Sequence, residues 1–169
     1  LNLRPYSALT VECFVKSPTS NVGVLVEHSA NFNGFVGGFI GLVNEVAAGQ
    51  FDAGFALPGG RFNIDSTAAG ALSDGQWHHV ALVYDPSRWG DDHIRVYLDR
   101  VQQGKRDASW NSESETFFLN SVLYIGSRNN AEVRYAGELD DLRITGAALE
   151  PSEFLAKRTY FGGTVFTLR

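Results

Sequence analysis

The chain has 169 residues, 44% hydrophobic and 20% charged, a globular composition long enough to bury a substantial core without disulfides. Its formal net charge is −5 and its 14 Lys and Arg are scattered, which excludes nucleic acid as the expected partner. No apolar run approaches the ~20 residues of a membrane-crossing helix, so no membrane insertion is expected.

The sequence begins at Leu1 and contains no methionine, which reads as a processed or excised piece of a larger protein. Its single cysteine, Cys13, stands between Val11 and Val15 in an alternating stretch, where a small buried thiol is expected. In chain order, Leu9 to Lys16 puts Leu9, Val11, Cys13 and Val15 on one face and Thr10, Glu12, Phe14 and Lys16 on the other. Val22 to His28 and the Gly-rich Phe35 to Val43 read as further strands. Gln50 to Leu57 and Arg61 to Asp65 flank a Pro58-Gly59-Gly60 turn.

Asp74-Gly75 is a turn signal before Trp77 to Tyr84, which is rich in aromatic and β-branched residues. Both faces of that stretch are largely apolar, so it reads as a central strand covered on two sides, with Trp77 in the core. His78 and His79 point to opposite faces and cannot share one metal through this strand. His93 to Leu98 runs to a hairpin tip at Asp99-Arg100. Phe117 to Gly126 and Asp140 to Thr145 read as strands, separated by the polar loop Ser127 to Val133. Glu150-Pro151-Ser152-Glu153-Phe154-Leu155 places Pro near a first helical position among acids and predicts one short C-terminal helix. About a dozen short strands with hardly any helix predict an all-β jelly-roll sandwich of two antiparallel sheets, one domain over 1–169.

Three segments carry a family resemblance. They are Leu9 to Lys16, Gly75-Gln76-Trp77-His78-His79-Val80-Ala81, and Leu123-Tyr124-Ile125-Gly126 followed by Tyr135-Ala136-Gly137-Glu138-Leu139-Asp140-Asp141-Leu142-Arg143-Ile144. In order and spacing they resemble a laminin-G-like domain of the concanavalin A-like lectin and glucanase superfamily. The resemblance implies the jelly-roll fold and a buried, hydrogen-bonded His79. It leaves the function open, since the superfamily holds lectins, adhesion domains, enzymes and spacers. Relatives often carry Gly where this chain has Arg100, so Arg100 either takes a left-handed conformation or marks a different turn.

Alternation places Asp140 beside Leu142 and Ile144, a core-side carboxylate that must be paired, hydrogen-bonded or bound to a cation. The segment is similar to the last strand of laminarinase-like glucanases, where the matching Asp helps hold a structural calcium. Calcium at Asp140 is therefore the one cofactor expected, with a hydrogen-bonded Asp140 as the alternative. Asp91-Asp92, in a loop, is a second calcium candidate, with solvated loop acids as the preferred reading. For sugars, Trp89 and Trp110 lie in polar loops where an indole gains little unless it caps the core edge or meets a ligand. Arg88, Asp91, Asn129, Asn130 and Arg134 could hydrogen-bond hydroxyls beside them. No strand carries the paired acids of the superfamily's glucanases; Glu113-Ser114-Glu115 is the nearest pair and lies in a polar segment. The expectation is a non-catalytic, lectin-like carbohydrate-binding module of a secreted or cell-surface protein, with a glycan or polysaccharide as partner. The alternatives are an adhesion or protein-interaction domain with a protein partner, or a spacer beside a catalytic domain.

Overall fold

The computed structural model describes residues 1–17, 23–29, 38–43, 50–57, 60–65, 70–88, 90, 92–107, 120–128, 133–156 and 166–167. Their strands are β1 (Leu9–Lys16), β2 (Gly23–Ser29), β3 (Gly38–Val43), β4 (Phe51–Leu57), β5 (Gly60–Asp65) and β6 (Trp77–Tyr84). The chain continues through β7 (Ile94–Leu98), β8 (Val101–Arg106), β9 (Val122–Ile125), β10 (Glu138–Thr145) and β11 (Phe166–Thr167). They form a six-stranded sheet in the order β11-β10-β1-β6-β7-β8 and a five-stranded sheet in the order β5-β4-β3-β2-β9. Neighbouring strands pair antiparallel throughout. This is the expected sandwich, and β6 lies inside the larger sheet.

The alternation of β1 and β6 decides which side chains meet. Leu9, Val11, Cys13 and Val15 lie on the inner face with Val80, Leu82 and Tyr84, packed against Leu25, Phe39, Phe51 and Phe55 of the second sheet. Phe39, Phe55 and Tyr84 carry aromatic contact from one sheet to the other, with successive ring centroids 6.4 and 5.5 Å apart. Cys13 is buried as expected; burial, with the charge of Glu12 adding to it, pushes its thiol up to about 12. Such a thiol stays protonated and is a packing residue at neutral pH.

The outer face of β6 is covered too, by residues 147–155 rather than by a sheet. Phe154 rests on Ala81, Val83 and Tyr97, with Ala148 and Leu149 beside it. The helix predicted from Glu150 to Leu155 is a single turn, in which the Glu153 N–H donates to the Glu150 carbonyl at 2.8 Å. A helix is not needed here because the sheet satisfies this backbone. Leu149 N–H donates to Thr10 Oγ1 at 2.9 Å, Leu155 N–H to Glu12 Oε2 at 2.9 Å, and Arg143 Nη2 to the Glu153 carbonyl at 2.8 Å. Residues 147–155 therefore act as a strap.

Three further local outcomes bear on the site. Asp99 and Arg100 both adopt left-handed backbone, φ 49° and 67°, in a two-residue turn closed by the Leu98–Val101 pair. This is the mirror-type hairpin turn, which costs a non-glycine residue about 1–2 kcal/mol. Arg100 Nη2 offsets that cost by donating to the carbonyls of Phe154 and Leu155, each at 2.9 Å. Second, β10 carries a bulge: two of its residues, Asp141 and Leu142, stand opposite Cys13 alone, and Asp141 has φ 49°. The bulge shifts the alternation by one. Asp140 pairs with Phe14 and so lies on the outer face, whereas Leu142 and Ile144 pack on the inner core. The core-side placement expected for Asp140 is thus corrected. Third, Trp77 pairs with Lys16 on the outer face and is half-buried at the strand's end, not in the core.

At the centre of the strapped face is Glu12, 1% exposed. Its carboxylate lies 2.8 Å from His79 Nε2, accepts Arg143 Nε at 2.6 Å and is further paired with Arg143 Nη2. Burial opposes its charge, but the hydrogen bonds from His79, Leu155 and Arg143 outweigh it and hold its pKa below the ordinary 4.5. The stability it contributes is therefore present above pH 4.5 and lost as pH falls through the lowered value. We expect Glu12→Gln to destabilise the domain by about 3 kcal/mol at pH 7, because Arg143 and His79 lose a charged partner inside the fold. Urea unfolding across pH checks this: the gap between the two proteins should close as the wild type is acidified.

Candidate functional site

Among the described residues, the strap reaches Leu155 near the end of the sheet where β6 begins. There the outer face opens into a cleft of about 450 Å³. Phe14 of β1 and Trp77 and His79 of β6 line it from the sheet, the Asp74–Gln76 turn from one rim, and the Asp99–Arg100 hairpin from the other. Each wall follows from local sequence. Gly75 takes φ 73°, and the turn is fixed by the Gln76 N–H donating to Asp74 Oδ1 at 2.8 Å. Opposite, the Asp99 N–H donates to the His79 carbonyl at 2.7 Å and Asp99 Oδ1 accepts the His79 N–H at 2.9 Å.

His78 joins the two rims. Its Nδ1 lies 2.8 Å from Asp99 Oδ2 and its Nε2 3.0 Å from Asp74 Oδ1. Burial disfavours the imidazolium, but the hydrogen bonds and charges of Asp99 and Asp74 prevail and raise its pKa above the ordinary 6.5. Asp74 is lowered below its ordinary 3.8, first by the Gln76 N–H and then by His78. Trp77 stands between these rims and Lys16, whose Nζ lies 6.0 Å from the indole centroid and 2.9 Å from Glu138 Oε1. The cleft thus offers an indole, two carboxylates and an exposed Gln76 side by side, with Arg100 at its rim hydrogen-bonded to the strap.

Of the residues expected from sequence to bind a ligand, Arg88 and Arg134 are among the described ones and do not line this cleft. Trp89, Trp110, Asp91, Asn129 and Asn130 lie outside the described residues, as do Glu113 and Glu115. Arg88 is at the far end of β6, a strand length of about 23 Å from Trp77. Its Nε lies 3.3 Å from Asp85 Oδ2, and it is also paired with Glu150. The buried Arg95 reaches the same two carboxylates at 3.4 and 3.3 Å, so Arg88 belongs to the ion-pair network that anchors the strap. Arg134 is exposed and bridges to Val24 of β2. Asp92 pairs with Lys105 at 3.0 Å.

Asp140 Oδ1 accepts the Asp141 N–H at 2.8 Å. Among the described residues no group of three or more His, Cys, Asp or Glu gathers at metal-binding distance. His79 is buried and bonded to Glu12, as its family pattern implied. The cleft itself went unread in the sequence, although the polar Asp74-Gly75-Gln76 immediately before an aromatic strand start is a usable signal for an aromatic at a sheet rim.

Residues 2–154 match the Laminin_G_3 family, described as the concanavalin A-like lectin/glucanases superfamily, and the chain belongs to it. No curated protein sequence matches. Among solved structures the chain is similar to the mouse laminin alpha1 chain, domains LG4-5, at 18% identity and TM-score 0.62, covering 96% of this chain and 40% of that one. It is similar to the CBM40 of the Ruminococcus gnavus IT-sialidase bound to alpha2,3 sialyllactose, at 12% identity and TM-score 0.64, covering 88% and 80%. A third is domain 4 of an extracellular arabinanase from Geobacillus stearothermophilus in complex with arabinotriose, at 18% identity and TM-score 0.56, covering 88% and 65%. At these identities the likeness is one of fold.

The His78 bridge sets a pH dependence. Its raised pKa means that its contribution is fully present below pH 6.5 and is lost as pH rises through the folded value. That of Asp74 runs the other way, present above 3.8 and lost below it. A His78→Gln variant should therefore fall furthest behind the wild type in thermal stability near about pH 5–6 and nearly rejoin it by about pH 9. Melting temperatures over that range test the sign.

Proposed function

We propose that this domain is a non-catalytic carbohydrate-binding module of a secreted or cell-surface protein, and that its described glycan site is the cleft beside Trp77. The observation that carries the reading is the half-buried indole at an open rim, flanked by Asp74, Gln76, Asp99 and Arg100. An indole covers the apolar C–H face of a sugar ring, while carboxylates and amides take its hydroxyls. Two of the similar folds, the sialidase CBM40 and the arabinanase domain, are named with bound saccharides, which supports this chemistry. Trp89 and Trp110, with Arg88, Asp91, Asn129, Asn130 and Arg134, form the second proposed contact set. A calcium at Asp140 would be structural.

Glycan-array binding separates these sets. Trp77→Leu should weaken binding by about tenfold or more with the fold retained by circular dichroism, the loss expected for an aromatic platform. Trp89→Ala with Trp110→Ala reports on the loops. Absence of binding to any glycan by the wild type would sink the reading. For calcium, a melting temperature unchanged between added calcium and chelator removes the ion from the proposal, and a rise of several degrees with calcium supports it.

A second reading, a protein-interaction domain, has one specific observation in its favour. Val122, Ile125 and Val133 are 51%, 47% and 41% exposed. They flank one edge of β2, where β9 pairs and the Val133 carbonyl accepts the Val24 N–H at 3.0 Å. Exposed apolar residues on a sheet edge suit strand-to-strand association. Light scattering that shows a dimer dissociated by Val122→Lys would favour this reading over the first.

A further inference from the structure

The charges around the cleft go further than the glycan reading and, resting on it, name the class of sugar. We infer that the cleft takes neutral saccharides and disfavours acidic ones. Asp74 and Asp99 stand on its two rims with side chains 50% and 52% exposed, so both carboxylates are within reach of a ligand. Each described cation near them is hydrogen-bonded within the protein. His78 is clamped between the two carboxylates through both ring nitrogens. Arg100 is turned toward the strap, its Nη2 donating to the Phe154 and Leu155 carbonyls. Lys16, beside the indole, is paired with Glu138.

Among the described residues, the groups left facing the ligand are acceptors for the most part. Asp74 uses Oδ1 for both the Gln76 N–H and His78, which leaves Oδ2 for an incoming donor. Asp99 uses one lone pair on each oxygen. The Gln76 amide is exposed and supplies both a donor and an acceptor. A neutral sugar presents hydroxyl donors to such a rim and its C–H face to Trp77. A sialic or uronic acid would bring its carboxylate against two others, with His78 already shared between them. As pH rises and His78 loses its proton, the lining becomes more negative, so discrimination against acids sharpens.

The test uses pairs of neutral and acidic saccharides: lactose with sialyllactose, and fully methyl-esterified polygalacturonan with the free acid. Titration calorimetry or array binding of the wild-type chain should show the neutral member of a bound pair favoured by about tenfold or more, equivalent to ~1.4 kcal/mol. Added salt should shrink the ratio, because the discrimination is a screened charge effect. Asp74→Asn, which keeps the carbonyl acceptor for Gln76 and removes the charge, should also shrink it. Acidic members bound as tightly as, or more tightly than, their neutral partners in a Trp77-dependent manner would overturn the inference and leave the glycan reading standing. A ratio insensitive to both salt and Asp74→Asn would overturn its charge basis. Failure of both members of every pair to bind removes the reading and the inference together.

Discussion

The outer half of this sandwich depends on one buried carboxylate. Glu12 lies in the middle of β1, faces away from the main core, and is almost fully enclosed. An ionised carboxylate in that position is tolerated only with several partners, and it has them: His79 from β6, Arg143 from β10 and the backbone of Leu155 from the strap. Those partners come from both neighbouring strands and from the covering segment. The register of β1 against β6 and β10, the seat of Phe154 against His79 and Tyr97, and the point where the strap stops all meet at this residue. The cleft begins where that network ends.

The fold was legible in the sequence because its strongest signal, period-two alternation, survives in the structure. Leu9 to Lys16 and Trp77 to Tyr84 are strands with the bounds the pattern predicts, and Cys13 and His79 are buried as expected. The second apolar face of β6 correctly announced a second cover. Its nature was not readable. Pro151 and the acids beside it look like a helix start, but the segment's hydrogen-bonding groups are taken by Thr10, Glu12 and Arg143, residues far away in sequence. Local propensity cannot anticipate partners supplied by the sheet.

The site was less legible, for two physical reasons. Alternation assumes an unbroken strand, and the bulge at Asp141 turned Asp140 outward while Leu142 and Ile144 stayed inward. Hydrophobicity also suggested that Trp77 would be enclosed, since a tryptophan opening a covered strand is ordinarily core. Whether its face is covered depends on how far the strap extends, and the described residues of the strap reach Leu155 at the cleft. The turn at Asp99-Arg100 was readable as a hairpin tip. That Arg100 would hold its left-handed backbone by reaching across to two strap carbonyls was not.

The same wiring bears on how the chain comes to be folded. Glu12 is near the beginning of the described chain, and two of its three partners, Arg143 and Leu155, are near its far end. Contacts of such long sequence separation form slowly, because loop closure precedes any reward from the pairing. Until residue 155 has been synthesised, β1 can pair with β6 but Glu12 has no complete set of partners, and hydration keeps its charge and the face around it open. A nascent chain would therefore carry Ala81, Val83 and Tyr97 uncovered until residue 154 is made, and the arrival of Phe154 would cover them. Emergence of that short covering segment, rather than pairing of the long strands, would then close the outer face.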